Sequence, residues 1–482
     1  MQIIGSWLVL AVFCAITWWV TPRRVGAAQF FNGERDNARP PGVWMVAMSA
    51  AITWVFAKSI ANASDLAYTY GISGGIGYTL YYLSFVIAGI TIYLLRTRGG
   101  YRSLPHFLVH KYGATAAKLF LLLVIFRLIN EIWSNTKVMS LYFGTEGSQQ
   151  YWLAVSLITA FTVAYAWRGG MRASLTTDRI HIFLAFILLA VALAVIYPGL
   201  VEKGLPSVPQ ATQAGGITFC FLALVQVLSY PFHDPVLTDR GFLNAPKQAL
   251  RSFLIAGVLS GSFIFLFSFI GLYGLAFGLG KPSSVTVPTS FGLPMLMVFN
   301  AIMLMTGGST IDSTLTSIAK LAARDWRNES ADPTSRHLRT GRIALLVVAI
   351  VGNLPLLSIY LGDRVGPAII AATTISGTIV MGLAPLFLLS WIRSASTASF
   401  HLAFWPGVSI GIVRAVETFG HLHIFPSGLF PAGLALGSGP FALDLGLNVW
   451  GLALCTAGFL AGAVLAPKSQ NVLAPEMQGS TP

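Results

Sequence analysis

Apolar runs long enough to cross a bilayer recur from one end of this chain to the other, separated by short polar segments. Crossing the hydrocarbon takes about 20 apolar residues, and on that measure the chain reads as about thirteen helices. Three of these runs are not plain spans. The stretch from Met305 to Trp326 is the most informative. At 100° per residue Thr306, Ser309, Thr310, Ser313, Thr316, Ser317 and Lys320 fall within an arc of roughly 120°, with Asp312 at its edge. Leu304, Ile311, Leu315 and Ile318 fall opposite. A carboxylate at the centre of a membrane helix costs roughly 3 kcal/mol or more, so this face is expected against protein or a water-filled cavity.

A second polar face, roughly 160° wide, runs along 116–143 through Arg127, Asn130, Glu131, Ser134, Asn135 and Lys137. Arg127 and Glu131 are spaced to pair at i, i+4. The face reads either as an internal salt bridge that fixes packing or as a wall of a solute site. The third exception is 42–70, where small residues gather over 57–65 around Lys58. The helix is either interrupted there, opening backbone groups to a cavity, or ends near Ser59 with Lys58 reaching the membrane surface. The run 74–95 reads as an ordinary span. Pro231 and Pro235 should break the run that starts at Ile217. Asp178 falls in the first turn of the run 175–197, where a carboxylate suits the helix N-terminus.

Composition agrees with a membrane protein. Of 482 residues 55% are hydrophobic and 10% charged, against about 25% charged in soluble domains. No soluble domain is expected. The first run lacks a basic leader and reads as a retained helix rather than a cleaved signal. With the N-terminus outside and thirteen crossings, inner segments receive 23 Lys and Arg and outer loops 3, as the positive-inside rule demands. That asymmetry accounts for the net charge of +13 without nucleic acid. Lys58, Arg127, Lys137 and Arg414 remain inside helices. Cys14, Cys220 and Cys455 lie in separate apolar runs, so neither a disulfide nor a metal site follows from spacing. His421 and His423, in the long loop before the last helix, are a remote candidate for metal.

Three motifs carry a family resemblance. Gly169, Gly170, Ala173, Thr177 and Asp178 match a GG-x-x-A-x-x-x-T-D pattern, with His181 where the family has Gln. The segment 309–313 (STIDS) with 323–325 (ARD) is similar to STADS…RD, and 234–240 (DPVLTDR) is similar to a (N/D)Q-x-x-x-QR segment, departing at Pro235 and Asp239. Together, in order and spacing, they resemble the sodium–solute symporter family. The resemblance implies an all-α, leucine-transporter-like core of two inverted five-helix repeats, here 42–197 and 216–391. One helix with its inner loop precedes it (1–41), two helices follow (392–466), and a disordered tail ends the chain (467–482).

The resemblance further implies a Na+ site between the interrupted first core helix and the eighth. Ser309 and Thr310 match the hydroxyl pair, the Thr306 carbonyl lies one turn before, and the remaining carbonyls come from about 53–56. Asp178 matches a carboxylate near the ion's inward exit, and Asp312 stands beside the hydroxyls. A small polar solute is expected beside the break, touching Lys58, Ser59, Asn62, Asn130, Glu131, Tyr230 and Asp234. Lys58 is the main departure, because a buried cation near a sodium site weakens it unless Asp65, Glu131 or Asp312 neutralises it. Sodium symport, proton-coupled or uncoupled carriage with Lys58 in the ion's place, and a purely structural Lys–Glu pair all stay open. A membrane sensor or enzyme would need an output domain or a dense His/Asp cluster, and the sequence has neither. For the solute, 68–78 (YTYGISGGIGY) resembles the urea-transporting branch, whereas interior Lys58, Arg127 and Lys137 suit a carboxylate. The compact loops fit a prokaryotic inner membrane; oligomeric state is not readable.

Overall fold

The structure, a computed structural model, describes residues 2–329, 332–362, 377–419 and 430–465. The first half of the expected eleventh span, the loop with His421 and His423, and the tail lie outside them. The described chain is helical throughout. In order come α1 (Gln2–Val20), the short α2 (Ala27–Asn32), α3 (Val43–Trp54), α4 (Ala57–Tyr70), α5 (Ile72–Leu80), α6 (Ser84–Gly99), the short α7 (Leu104–Tyr112) and α8 (Ala114–Ser140). Then follow α9 (Gln149–Lys203), α10 (Gln210–Gln226), the single turn α11 (Pro235–Thr238), α12 (Pro246–Ala276), α13 (Ser283–Ser290) and α14 (Leu293–Ala323). The chain closes with α15 (Ser335–Val351), α16 (Leu383–Leu388), α17 (Thr397–Phe419) and α18 (Ala442–Leu465). Polar caps start several of these helices. Ser103 accepts from the His106 N–H, Ser148 from Tyr151 and Thr334 from His337.

Among the described residues seven helices are long and apolar enough to span a membrane, or eight if α3 and α4 form one bent span. Two expected spans, 151–167 and 175–197, are merged in α9. Its φ of 50° at Gly170 divides it into arms 149–169 and 171–203. A Cβ on Gly170 would lie 2.5 Å from Phe30, so only glycine fits. Asp178 therefore stands two turns into the second arm, which overturns its expected place in a first helical turn. The run 74–95 lies within one candidate span, Ile72–Gly99, in which a 3-10 turn at Tyr81–Leu83 joins α5 to α6.

The interruption in 42–70 is real, with a bend of 58° between α3 and α4. It falls at Val55 and Phe56, just ahead of the small-residue cluster, which instead forms the first turns of α4. Those small residues permit close packing. A Cβ on Gly271 of α12 would meet the Ser64 carbonyl oxygen at 1.8 Å. Gly271→Ala is expected to force α12 and α4 apart and lower the melting temperature of the purified protein. Overpacking of this kind costs about 1–3 kcal/mol. An unchanged melting curve would show that the interface relaxes freely.

α14 runs through the middle of the bundle. Its polar arc faces protein as expected, but Leu304, Ile311, Leu315 and Ile318 are buried as well. It is enclosed on all sides by α9, α15, α8, α1 and α3.

Candidate functional site

Breaking a helix frees carbonyls at one cut end and amides at the other. At the end of α3 the Val55 N–H still reaches Ala51 and Ile52, while the next carbonyls turn to side chains. The Thr310 hydroxyl on α14 donates to the Thr53 carbonyl at 3.1 Å and to the Thr306 carbonyl at 3.0 Å. Tyr82 donates to the Trp54 carbonyl at 2.9 Å. Thr53 O, Thr306 O and the Thr310 hydroxyl thus form a small group of neutral hard oxygens at the partly negative end of α3. Ser309 points elsewhere: its hydroxyl lies 2.8 Å from His181 Nδ1, whose Nε2 meets Thr17 at 3.0 Å.

At the start of α4, Asn135 on α8 accepts the Lys58 backbone N–H at 3.3 Å and donates to the Glu131 carboxylate at 3.0 Å. The Lys58 ammonium reaches toward α8. It meets Glu131 at 2.7 Å and Asn130 at 3.2 Å. Arg127 also pairs with Glu131 and reaches Asp234 at 2.9 Å. Asp234 further accepts from the Trp54 indole at 2.9 Å and caps α11 through the Val236 N–H at 3.0 Å. Phe56 lies under both cations, and Tyr230 faces Arg127. Two positive and two negative charges therefore balance in a quartet whose only accessible member is Lys58, its side chain 17% exposed. Asp65, one of the expected partners of Lys58, instead accepts the Ser283 N–H at 2.7 Å and ties α4 to α13.

Beside the quartet, Tyr78 donates to Ser59 at 2.9 Å, and the rings of Tyr78, Tyr81 and Tyr230 follow one another at 5.7 and 5.6 Å. Asn62, one turn beyond Lys58, is exposed. Tyr81 donates to Gln226 at the end of α10. Gln226 bonds Asn448 on α18 at 3.4 Å, and Asn448 bonds Thr378 at 2.9 Å.

A second polar cluster lies deeper, toward the end of the bundle that carries the clustered Lys and Arg. Asp178 accepts from the Ser49 hydroxyl at 2.5 Å, and Ser174 stands 3.1 Å from Asp178 and 2.9 Å from Asp312. Arg240 is wholly buried among them. Its neighbour Asp239 faces the opposite way, to Lys320 at 2.5 Å, beside a cavity of about 280 Å³ lined by Asn32, Glu34, Arg102 and Phe242.

The expected residues therefore fall into three places. Thr306 and Thr310 meet α3 at the break. Lys58, Asn130, Glu131 and Asp234 build the quartet, with Ser59 and Tyr230 at its edge. Asp178 and Asp312 come together in the deeper cluster, and Ser309 lies between. Arg240, Ser49, Ser174 and His181 were not singled out as site residues. His181 and Arg240 stand inside the motifs and offered a signal; Ser49 and Ser174 offered none.

No family model matches the sequence. A Na+-coupled sialic acid symporter, solved substrate-bound and outward-open, superposes over 97% of this chain and 98% of its own at a TM-score of 0.69 and 16% identity. A nucleobase-cation-symport-1 family transporter, closed with bromovinylhydantoin bound, covers 93% and 96% at a TM-score of 0.53 and 15% identity. With its apolar helices and this architecture, the chain is a multi-pass membrane protein with the leucine-transporter-like fold of secondary transporters.

Proposed function

We propose that this chain is a secondary active transporter that couples sodium entry to uptake of a small polar solute by alternating access. One observation carries the reading: the Thr310 hydroxyl meets the freed Thr53 carbonyl across the break between α3 and α4. Sodium is a hard cation suited to neutral oxygen donors, and Thr53, Thr306 and Thr310 supply three of them, with Ser309 one position away. The quartet geometry removes the objection raised by Lys58. Its ammonium is neutralised by Glu131 at 2.7 Å. The solute lies on the other side of the break, against Lys58, Ser59, Asn62, Asn130, Tyr230 and the Glu131–Asp234 wall.

In this reading the core repeats are 42–197 and 216–391, the accessory segments are 1–41 and 392–466, and thirteen crossings leave the N-terminus outside a prokaryotic inner membrane. Binding at the break favours closure of α4 over the solute, and release follows when α3 and α11 part from α9 and α14 at the basic end.

The test is uptake into proteoliposomes of a panel of urea, acetate, lactate, proline and glucose, driven by an inward gradient of sodium or of choline. At least one solute is expected to enter roughly tenfold faster or more with sodium, the usual scale of coupling between two sites. In the Lys58→Met variant, sodium dependence should persist while solute affinity falls. Uptake indifferent to sodium in the wild type, with sodium dependence appearing only in Lys58→Met, would make the protein an uncoupled carrier in which the lysine replaces the ion.

A further inference from the structure

The quartet beside the break has no charge to spare. Its cations, Lys58 and Arg127, face the carboxylates of Glu131 and Asp234, and every carboxylate oxygen is in use. Glu131 Oε1 takes both cations, and its Oε2 accepts from Asn135 at 3.0 Å. Asp234 Oδ2 accepts from Arg127 and from the Trp54 indole, each at 2.9 Å, and its Oδ1 accepts the Val236 N–H at 3.0 Å. Arg127, Glu131 and Asp234 are buried, so Lys58 alone offers charge to the open side. An ammonium has three N–H groups, and Glu131 and Asn130 take two of them.

The other groups around that opening are neutral. Ser59 accepts from the Tyr78 hydroxyl at 2.9 Å and keeps its own hydrogen. Asn62 presents an exposed amide, and the rings of Tyr78, Tyr81 and Tyr230 run alongside. Asp65, further along α4, accepts the Ser283 N–H at 2.7 Å. A solute ammonium therefore finds no open oxygen on the quartet. A solute carboxylate finds one N–H, shares Lys58 with Glu131, and leaves an excess negative charge in an enclosure where unbalanced charge is costly. An uncharged oxygen satisfies the third N–H and leaves the balance as it was. The face of such a molecule packs on the tyrosine rings.

We infer that the solute of this site is uncharged: a small molecule that gives a carbonyl or hydroxyl oxygen to Lys58 and lays its face on Tyr78, Tyr81 and Tyr230. The charges of the quartet serve selectivity by being complete. They reject carboxylates, organic cations and amino acids alike, because each would need a counter-charge that is already taken. The inference rests on the proposed function for the place of the solute and not for sodium.

The experiment is equilibrium binding to purified full-length protein, using two skeletons in which only the charge changes, at mildly acidic pH where the amines are protonated. Lactamide, lactate, alaninamide and alanine are near-isosteric and are neutral, anionic, cationic and zwitterionic. Glucose, glucuronate and glucosamine repeat the series at a larger size. In the skeleton that fits, the uncharged member is expected to bind at least about tenfold tighter than each charged one, the direction set by the cost of an unbalanced buried charge. Lys58→Met leaves the quartet with one negative charge in excess. It should weaken the uncharged member and admit alaninamide or glucosamine. A charged member binding the wild type as tightly as its uncharged partner would overturn the inference, whether or not the variant folds. Silence from both series would overturn it too. Titrations in sodium and in choline keep the two readings apart. An uncharged preference that is the same in both media leaves the inference standing and removes sodium coupling. Binding of lactate or glucuronate that is strengthened by sodium does the reverse.

Discussion

Replacing Thr310 by alanine is expected, on the sodium-coupled reading, to abolish the sodium dependence of uptake while the protein stays folded. Among the described residues the Thr310 hydroxyl is the one side-chain oxygen of α14 bonded to the freed end of α3, so on the sodium-coupled reading its removal deletes an ion ligand and the contact that aligns the Thr53 carbonyl. Loss of one buried polar partner costs about 1–3 kcal/mol, a tenfold to hundredfold fall in sodium affinity. Folding stability changes less, because the same hydroxyl is one bond among many along a fully enclosed helix. Thr310→Ser keeps the oxygen and should restore sodium dependence. Sodium titrations of uptake check this directly: a wild-type curve in Thr310→Ala would show that the ion binds elsewhere, whatever happens to the solute.

Replacing Glu131 by glutamine is expected to give the largest loss of stability of any single change of charge. Glu131 is wholly buried and, among the described residues, is the only carboxylate shared by Lys58 and Arg127. Without it, two cations are left with Asp234 alone, and the quartet carries a net positive charge that reaches water only at Lys58. Breaking a buried ion pair by removing one partner costs about 3–5 kcal/mol. The control is Lys137→Gln, whose pair with Glu146 is about one-third exposed on both sides and should change stability by about 0–1 kcal/mol. The double variant Lys58→Met with Glu131→Gln leaves Arg127 with Asp234, a neutral pair, and should recover much of the loss. Thermal melting in detergent measures all three. A double variant no more stable than Glu131→Gln alone would mean that Glu131 acts through shape rather than charge.

Much of the arrangement was legible before any coordinates. Hydrophobic runs and clustered basic residues indicated a many-helix membrane protein, because a bilayer makes apolar length nearly a direct measure of a span. The polar arcs on α14 and α8 were legible for the same reason: hydroxyls and charges inside an apolar run have no cheap place except against protein. Arg127 with Glu131 followed from helical spacing alone. What failed were features set by partners distant in the chain. Asp178 looked like a helix-terminus residue because its nearest glycines promised a turn; the bend at Gly170 comes eight residues earlier, and the partners of Asp178 are Ser49 and Arg240. Arg240 itself was hidden by its company. Set among the basic residues of an inner segment it was counted with the surface charges, and only its place at the end of the 234–240 motif set it apart. The placement of the break was two residues off because small side chains signal close packing, which α4 needs against Gly271, as readily as they signal interruption.

The bond from Gln226 to Asn448 gives the C-terminal helices a standing their position does not advertise. α18 lies after the proposed repeats, yet through Gln226 it is linked to the hydroxyl of Tyr81, whose ring leads to Tyr78 and Tyr230. Among the described residues the oxygens around Thr310 and the Arg240 cluster have no such link to α18. On the proposed reading, cargo preference can then drift over generations by changes in a peripheral helix, while the energetics of coupling are inherited intact. Descendants of such a chain would diversify in diet before they diversified in fuel.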